Sequence, residues 1–195
     1  PISGPQVTSK ILEPIMFAYN LFVQESNAKL TFKQKSNETT EAVLISDFAA
    51  VEGEGNSEFL SIMDLPEMDL PSEVNVSHID PDLDYQDGSQ RDTRIVRNYD
   101  NVVSVEVPLV LSADEAFAIA HRRLWSAIYE RLKITITLPP YYMFLEENDI
   151  ITFTYDGYDY EIRIIELTIG NNYIVEVSGV TYSSRLNDVD NLPAI

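Results

Sequence analysis

The alternation of apolar and polar positions changes period twice along this chain. Residues 5–19, PQVTSKILEPIMFAY, place Ile11, Leu12, Ile15, Met16 and Tyr19 at helical spacing behind a Thr8/Ser9 start signal, and Pro14 predicts a bent or shortened helix. LFVQES and KLTFKQK then flank Asn27-Ala28, with Leu30 and Phe32 alternating with Thr31 and Lys33, the pattern of a hairpin with one wet face. AVLIS at 42–46 predicts a third strand, EGEGNSE at 52–58 a loop, and FLSIM a return to the sheet. Two prolines within DLPEMDLP, residues 64–71, mark a boundary.

Period two resumes at 73–79 and again at RDTRIVR, 91–97, beyond an aspartate-rich turn. In NVVSVEVPLVL, Val103, Val105, Val107 and Leu109 share one face, and Pro108 predicts an edge or a bulge. Ser112-Ala113-Asp114-Glu115 is a capping box: Ser at the N-cap, Glu three residues on, and acids beside the positive helix end. It opens the one long helix, 113–132, with Ala116, Ala120, Leu124, Ala127, Ile128 and Leu132 along one side and Arg122, Arg123, Glu130 and Arg131 on the wetter one. Four strands follow in about fifty residues, KITITLP, DIITFTY, YDYEIRIIEL and YIVEVSGVTYS, which signals a small barrel or sandwich. Asp156-Gly157 and Gly170-Asn171-Asn172 supply the hairpin turns, since a two-residue turn needs positive φ. The tail RLNDVDNLPAI has no period, and no internal repeat is present. The reading is α+β, predominantly antiparallel β with one long helix. It divides into a helix with a small sheet (1–63), strands with the long helix (64–133), and a barrel-like antiparallel part with a C-terminal tail (134–195).

Composition narrows the chemistry. The 195 residues carry 32 acidic and 13 basic side chains, a net charge of −19, yet 45% are hydrophobic, so a packed core and not disorder is expected. Phosphate neutralisation needs basic surface, so stable nucleic-acid binding is disfavoured. With no cysteine, disulfides, thiolate catalysis and sulfur-rich zinc sites are excluded. No apolar run approaches 18 residues, so no membrane span is expected, and the opening Pro1-Ile2-Ser3-Gly4 has neither an initiating methionine nor a basic leader, which predicts no signal peptide and is compatible with a longer parent chain.

The aspartates of VSHIDPDLDYQDG, 76–88, invite reading as a calcium loop. That loop needs glycine at its sixth position and a bidentate glutamate at its twelfth, where this chain has Tyr85 and Arg91, so the stretch reads as a turn after a strand. Glu146, Glu147 and Asp149 are the best local carboxylate cluster for glycoside hydrolysis, but a turn before a strand is by far the better account of them. His78 falls on the Val74/Val76 side of its strand, where it is expected to be partly buried with its hydrogen bonds satisfied; His121, beside Arg122 and Arg123, is expected at a surface or interface. No G-x-S-x-G, phosphate loop or H-E-x-x-H is present, so the expectation is no enzyme, with no catalytic, cofactor-binding or metal residues and no cofactor. Eleven tyrosines, among them Tyr141, Tyr142, Tyr155, Tyr158, Tyr160 and Tyr173, with Phe144 and Phe153, suit either sheets that meet other protein or ordinary core usage.

In order, ILEPIMFAYNLFVQESNAKLTF, LPEMDLPSEVNVSHIDPDLDYQDGSQ, VPLVLSADEAFAIAHRRLWSAIYER and LPPYYMFLEENDIITFTYDGYDYEIRI resemble the tail-tip or baseplate-hub proteins of siphophages and gene transfer agents. The D-P-x-x-D-Y-Q order of Asp80, Pro81, Asp84, Tyr85 and Gln86, followed by the A-x-x-x-A helix, carries most of that resemblance. Where the family has Pro-Gly-Asp, this chain has Glu147-Asn148-Asp149, and Asn148 can take the left-handed turn position. The resemblance implies a virion structural protein, assembled in the host cytoplasm and then resident in the tail tip or baseplate. It implies a homotrimeric hub ring of pseudo-sixfold symmetry, joining distal tail and tail-tube proteins to tip or receptor-binding proteins in host attachment, with DNA only in passage. A second reading is a receptor- or carbohydrate-binding module at the tip using Tyr158 and Tyr160; a third is a cell-wall glycosidase using Glu146.

Overall fold

A computed structural model describes residues 8–26, 29–34, 39–44, 46, 48, 59–95, 100–170 and 173–183. The chain forms two compact units, each assembled from two stretches: Pro1–Lys35 with Met68–Ala127, and Ser36–Glu67 with Ile128–Ile195.

In the first unit, helix α1 (Thr8–Ala18) runs through Pro14 without ending there. Tyr19 N–H bonds the Ile15 carbonyl at 3.0 Å, and Asn20 takes φ 53°, the left-handed stop that asparagine tolerates. Strands β1 (Leu21–Ser26) and β2 (Lys29–Gln34) form the expected antiparallel hairpin; its Asn27-Ala28 turn lies outside the described residues. A three-stranded sheet follows, made of β5 (Glu73–Asp80), β6 (Gln86–Thr93) and β7 (Val102–Val110) in the order β6-β5-β7. β5 alternates strictly, with Val74, Val76, His78 and Asp80 buried on one face. β7 lies parallel to β5 at a sheet edge, and the register slips between Ser77 and Ile79, opposite Pro108. Proline there is both edge and bulge, since it offers no N–H to a ladder.

Helix α2 (Ala113–Tyr129) lays Ala116, Ile119, Ala120, His121 and Leu124 into the core beside Val74, Val76, Val107 and Leu111. Its capping box closes as expected: Ser112 N–H and hydroxyl reach Glu115 Oε2 at 2.8 and 2.9 Å, and Glu115 N–H returns to Ser112 Oγ at 3.3 Å. The Ser112 backbone bond first, and then its hydroxyl, hold the Glu115 carboxyl below the usual carboxylate range. A carboxyl depressed in the folded state stabilises above its unfolded value and stops doing so as pH falls through the lower, folded one. Ser112→Ala removes the cap hydroxyl and is expected to cost about 1 kcal/mol, read as a lower urea midpoint at pH 7, while the Ser112 backbone bond to Glu115 remains. α2 also fixes α1: Arg122 Nη1 donates to the Ala18 carbonyl at 3.4 Å, and the Arg123 guanidinium lies 3.8 Å from the Phe17 ring centre.

The helix ends earlier than the expected residue 132, because Leu132 belongs to a strand of the second unit, opposite Asp64. That unit is one six-stranded sheet of β3 (Thr39–Ala42), β4 (Leu60–Asp64), β8 (Leu132–Leu138), β9 (Ile150–Tyr155), β10 (Tyr158–Ile169) and β11 (Val175–Thr181), in the order β3-β9-β10-β11-β8-β4. All neighbours are antiparallel except β3, which is parallel to β9. The expected barrel is corrected to an open sheet: closure requires the two end strands to pair, and among the described residues β3 bonds only β9 and β4 only β8. The third strand is likewise corrected from 42–46 to Thr39–Ala42, with Val43 adding one last bond to the Thr152 carbonyl at 2.8 Å before the ladder stops. Residue 45, the 52–58 loop, the Asn171-Asn172 turn and the tail from 184 lie outside the described residues.

One face of the sheet carries the core: Ile134, Ile136 and Leu138 of β8, Ile151 and Phe153 of β9, Ile162 and Ile164 of β10, Val175 and Val177 of β11. Each such side chain contributes about 2 kcal/mol on burial. Asp156 (φ 51°) and Gly157 (φ 80°) make the β9–β10 turn as expected. On the other face Arg163 is buried, its guanidinium 4.6 Å over the Tyr182 ring and Nη1 3.6 Å from Glu130 Oε1. Burial draws its pKa below the ordinary arginine value, and Glu130 opposes that shift.

Candidate functional site

The aspartate-rich stretch is a hairpin turn in the first unit. Asp80 ends β5, and its Oδ1 accepts the Asp82 N–H at 2.8 Å, capping a short 3₁₀ turn over Pro81–Leu83. Asp84 (φ 54°) and Tyr85 (φ 60°) then reverse the chain, and Tyr85 N–H closes onto the Asp80 carbonyl at 3.0 Å. So tight a closure starts β6 at Gln86 and not at the expected residue 91. Tyr85 takes the left-handed conformation without being glycine, and the stretch is the turn expected of it. What separates the stretch from a calcium loop is the use of the Asp80 carboxylate as a backbone cap and of Arg91 as a strand residue opposite Asn75.

Gly88 serves space and not φ. A Cβ there would sit 3.0 Å from Asp80 Cβ and 3.1 Å from the His78 ring. His78 is 2% exposed, with neither ring nitrogen hydrogen-bonded and Nε2 3.9 Å from Asp80 Oδ2. The expected burial is present; the expected satisfaction is corrected. His121, expected at a surface or interface, is 5% exposed in the chain itself, with Nδ1 2.7 Å from Asp92 Oδ2. Asp92 is buried as well, and its Oδ1 accepts the Thr93 N–H at 2.8 Å. Asp92 is the partner that sequence reasoning missed; the available signal was that His121 stands one position from Ala120 and three from Leu124, at the margin of the buried stripe.

In the second unit, Glu146, Glu147 and Asp149 form a turn. Asp149 Oδ2 accepts the Glu146 N–H at 2.9 Å, while Asn148, at φ 71°, donates its N–H to the Ile164 carbonyl at 2.8 Å. Asn148 thus takes the left-handed position expected of it. The aromatics divide between both readings. Tyr142 and Phe153 are core, and Tyr160 stacks on Phe153 at 5.3 Å, whereas Tyr158 is 68% exposed and Tyr141 and Tyr173 also face out. Tyr158 and Tyr160 stand two apart on one face of β10, the first exposed and the second half-buried.

Charge is distributed unevenly. The first unit holds 13 acidic and 9 basic residues, a net −4; the second holds 19 and 4, a net −15. Of the four bases, Arg163 is buried, while Arg131 and Lys133 lie at the start of β8 beside β4. That edge is also apolar: Phe59, Ile62, Met63 and Leu65 are exposed there. No described helix is long and apolar enough to cross a membrane.

A family profile described as "Putative phage tail protein" matches residues 8–167. Among solved structures, a chain in the virion of a native gene transfer agent particle superposes at a TM-score of 0.86 with 19% identity, over 100% of this chain and 42% of that one. The tail protein from Neisseria meningitidis MC58 gives 0.64 and 13%, over 96% of this chain and 58% of its own. The 43 kDa tail protein of prophage MuSo2 from Shewanella oneidensis gives 0.61 and 12%, over 92% and 53%. The chain thus spans about half the length of these proteins, and at such identities the likeness is one of fold. No protein of curated function matches it in sequence. With the profile covering most of the residues, including the Asp80–Gln86 turn and the whole of α2, the chain belongs to this family of phage tail proteins.

Proposed function

We propose that this chain is part of the hub at the tail tip or baseplate of a phage or phage-like particle. It works as a ring of three copies with pseudo-sixfold symmetry, joins tail-tube and distal tail proteins to the tip, and lines the passage for DNA. The observation that carries the reading is the superposition of the whole chain on part of a chain from a gene transfer agent virion, with a TM-score of 0.86. The electrostatics agree. A net charge of −15 in the second unit repels a phosphate backbone, so DNA slides past without being retained. The exposed Asp156, Asp159, Glu161, Glu166 and Glu176 on β10, β11 and the β9–β10 turn are the groups to expect on the lumen side.

Light scattering on the purified chain is expected to give three times 22.1 kDa, and electron microscopy a ring with those acids turned inward. A ring with the acids mainly on its outer wall would remove the passage-lining role, and a monomer at every concentration would remove the ring.

A further inference from the structure

Among the described residues, the sheet of the second unit ends in β3 on one side and in β4 on the other. Backbone polarity along β4 is fixed by its ladder. Leu65 N–H bonds the Arg131 carbonyl at 3.2 Å, and Thr137 N–H bonds the Phe59 carbonyl at 3.1 Å. In an antiparallel pair such residues alternate, so 59, 61, 63 and 65 turn their backbone groups to β8, while Leu60, Ile62 and Asp64 turn theirs outward. Exposed edges in monomeric proteins are commonly guarded by lysine, proline or a bulge. β4 reads Leu-Ser-Ile-Met-Asp, pairs with β8 without a slip, and leaves Ile62 39% and Met63 61% exposed. Beside this apolar edge stand Arg131 and Lys133, Lys133 directly opposite Met63 and Arg131 3.4 Å from Asp64. An apolar, base-flanked edge in a unit of net −15 is complementary to the remainder of that same unit.

We infer that the outer edge of β4 is where a second copy of this chain docks head to tail, adding its β3 to the sheet. The inference rests on the ring reading above and names the contact that builds it. A twofold β4–β4 pairing would set Arg131 and Lys133 of one copy against the same bases of the other. Docking β3, whose one acidic residue is Glu41, sets an acid and no base on the approaching edge, and one contact then uses both end strands. A contact between different patches propagates and closes into a ring when its rotation permits; a twofold contact stops at two.

The absence of cysteine from the chain makes the test clean. Ile62→Pro removes an outward N–H without touching the β8 ladder, since proline is tolerated on an edge whose N–H faces solvent. It is expected to weaken self-association at least about tenfold, equivalent to 1.4 kcal/mol, in sedimentation or light scattering, with the circular dichroism unchanged. Lys133→Glu, a surface change that serves should Ile62→Pro misfold, is expected to act in the same direction. Met63→Cys combined with Glu41→Cys or Ala42→Cys is expected to give a covalent ladder under mild oxidation, and each single cysteine none. A dimer from Met63→Cys alone would show twofold pairing and overturn the proposal. Unweakened oligomers in Lys133→Glu, with no ladder from either cysteine pair, would overturn the edge while leaving the ring reading standing. A wild-type chain that stays monomeric would overturn both.

Discussion

Asp92→Ala is expected to destabilise the first unit by about 1–3 kcal/mol, the cost of leaving a buried polar group without its partner. Asp92 and His121 are each 5% exposed, 2.7 Å apart at Oδ2 and Nδ1, and they tie β6 to α2 across the core. His121 also lies 6.0 Å from the Phe117 ring and 5.8 Å from the Trp125 ring, so its neighbours on α2 are aromatic. Equilibrium urea unfolding of Asp92→Ala, His121→Ala and the double variant forms a cycle, with an expected coupling of 1–3 kcal/mol, roughly the range for residues in direct contact. Asp92→Leu with His121→Leu is expected to recover most of the loss, because two apolar groups of similar volume need no partner. Additive single effects, with no recovery in the leucine pair, would show the contact to be incidental.

Gly179→Ala is expected to cost about 3 kcal/mol, near the upper end for overpacking, and to show as a lower urea midpoint. Gly179 lies mid-way along β11 between Ile164 of β10 and Ile134 of β8. A Cβ there would stand 2.5 Å from the Arg163 carbonyl oxygen and 3.1 Å from its carbon. The obstacle is backbone, held on one side by the β10 bulge between Ile164 and Glu166 and on the other by the buried Arg163 side chain, so it cannot swing aside. Gly157→Ala is the control: nothing lies within 4 Å of its Cβ, and the cost is only that of a side chain at φ 80°, about 1 kcal/mol. Equal losses at 157 and 179 would mean that the sheet yields at β11.

Local chemistry was legible wherever it acts between neighbours in sequence. The capping box at Ser112 and Glu115, the Asp156-Gly157 hairpin, the left-handed Asn148 and the bulge at Pro108 all follow from groups within a few residues of one another. Tyr85 shows where local preference is outweighed: a tyrosine is disfavoured at φ 60°, but the Asp80 cap and the Asp80–Tyr85 backbone bond outweigh about 1 kcal/mol. His121 shows the converse. A histidine beside two arginines reads as surface until a carboxylate 29 positions earlier, on a different strand, arrives at 2.7 Å.

By itself, then, the sequence determined the elements, because periodicity and caps are properties of short stretches, and it determined the family resemblance, because the D-P-x-x-D-Y-Q turn and the helix after it are contiguous. Tertiary structure alone decided which strands are neighbours. β4 pairs with β8 across nearly seventy residues of intervening chain, and β3 joins β9 in parallel, so the four regular strands of the C-terminal part became the middle of an open sheet and not a barrel. The physical reason is that alternation states which face of a strand is apolar but says nothing of which backbone edge it satisfies. Among the described residues β3 and β4 end the sheet, and these are the edges on which the proposed further copy would build.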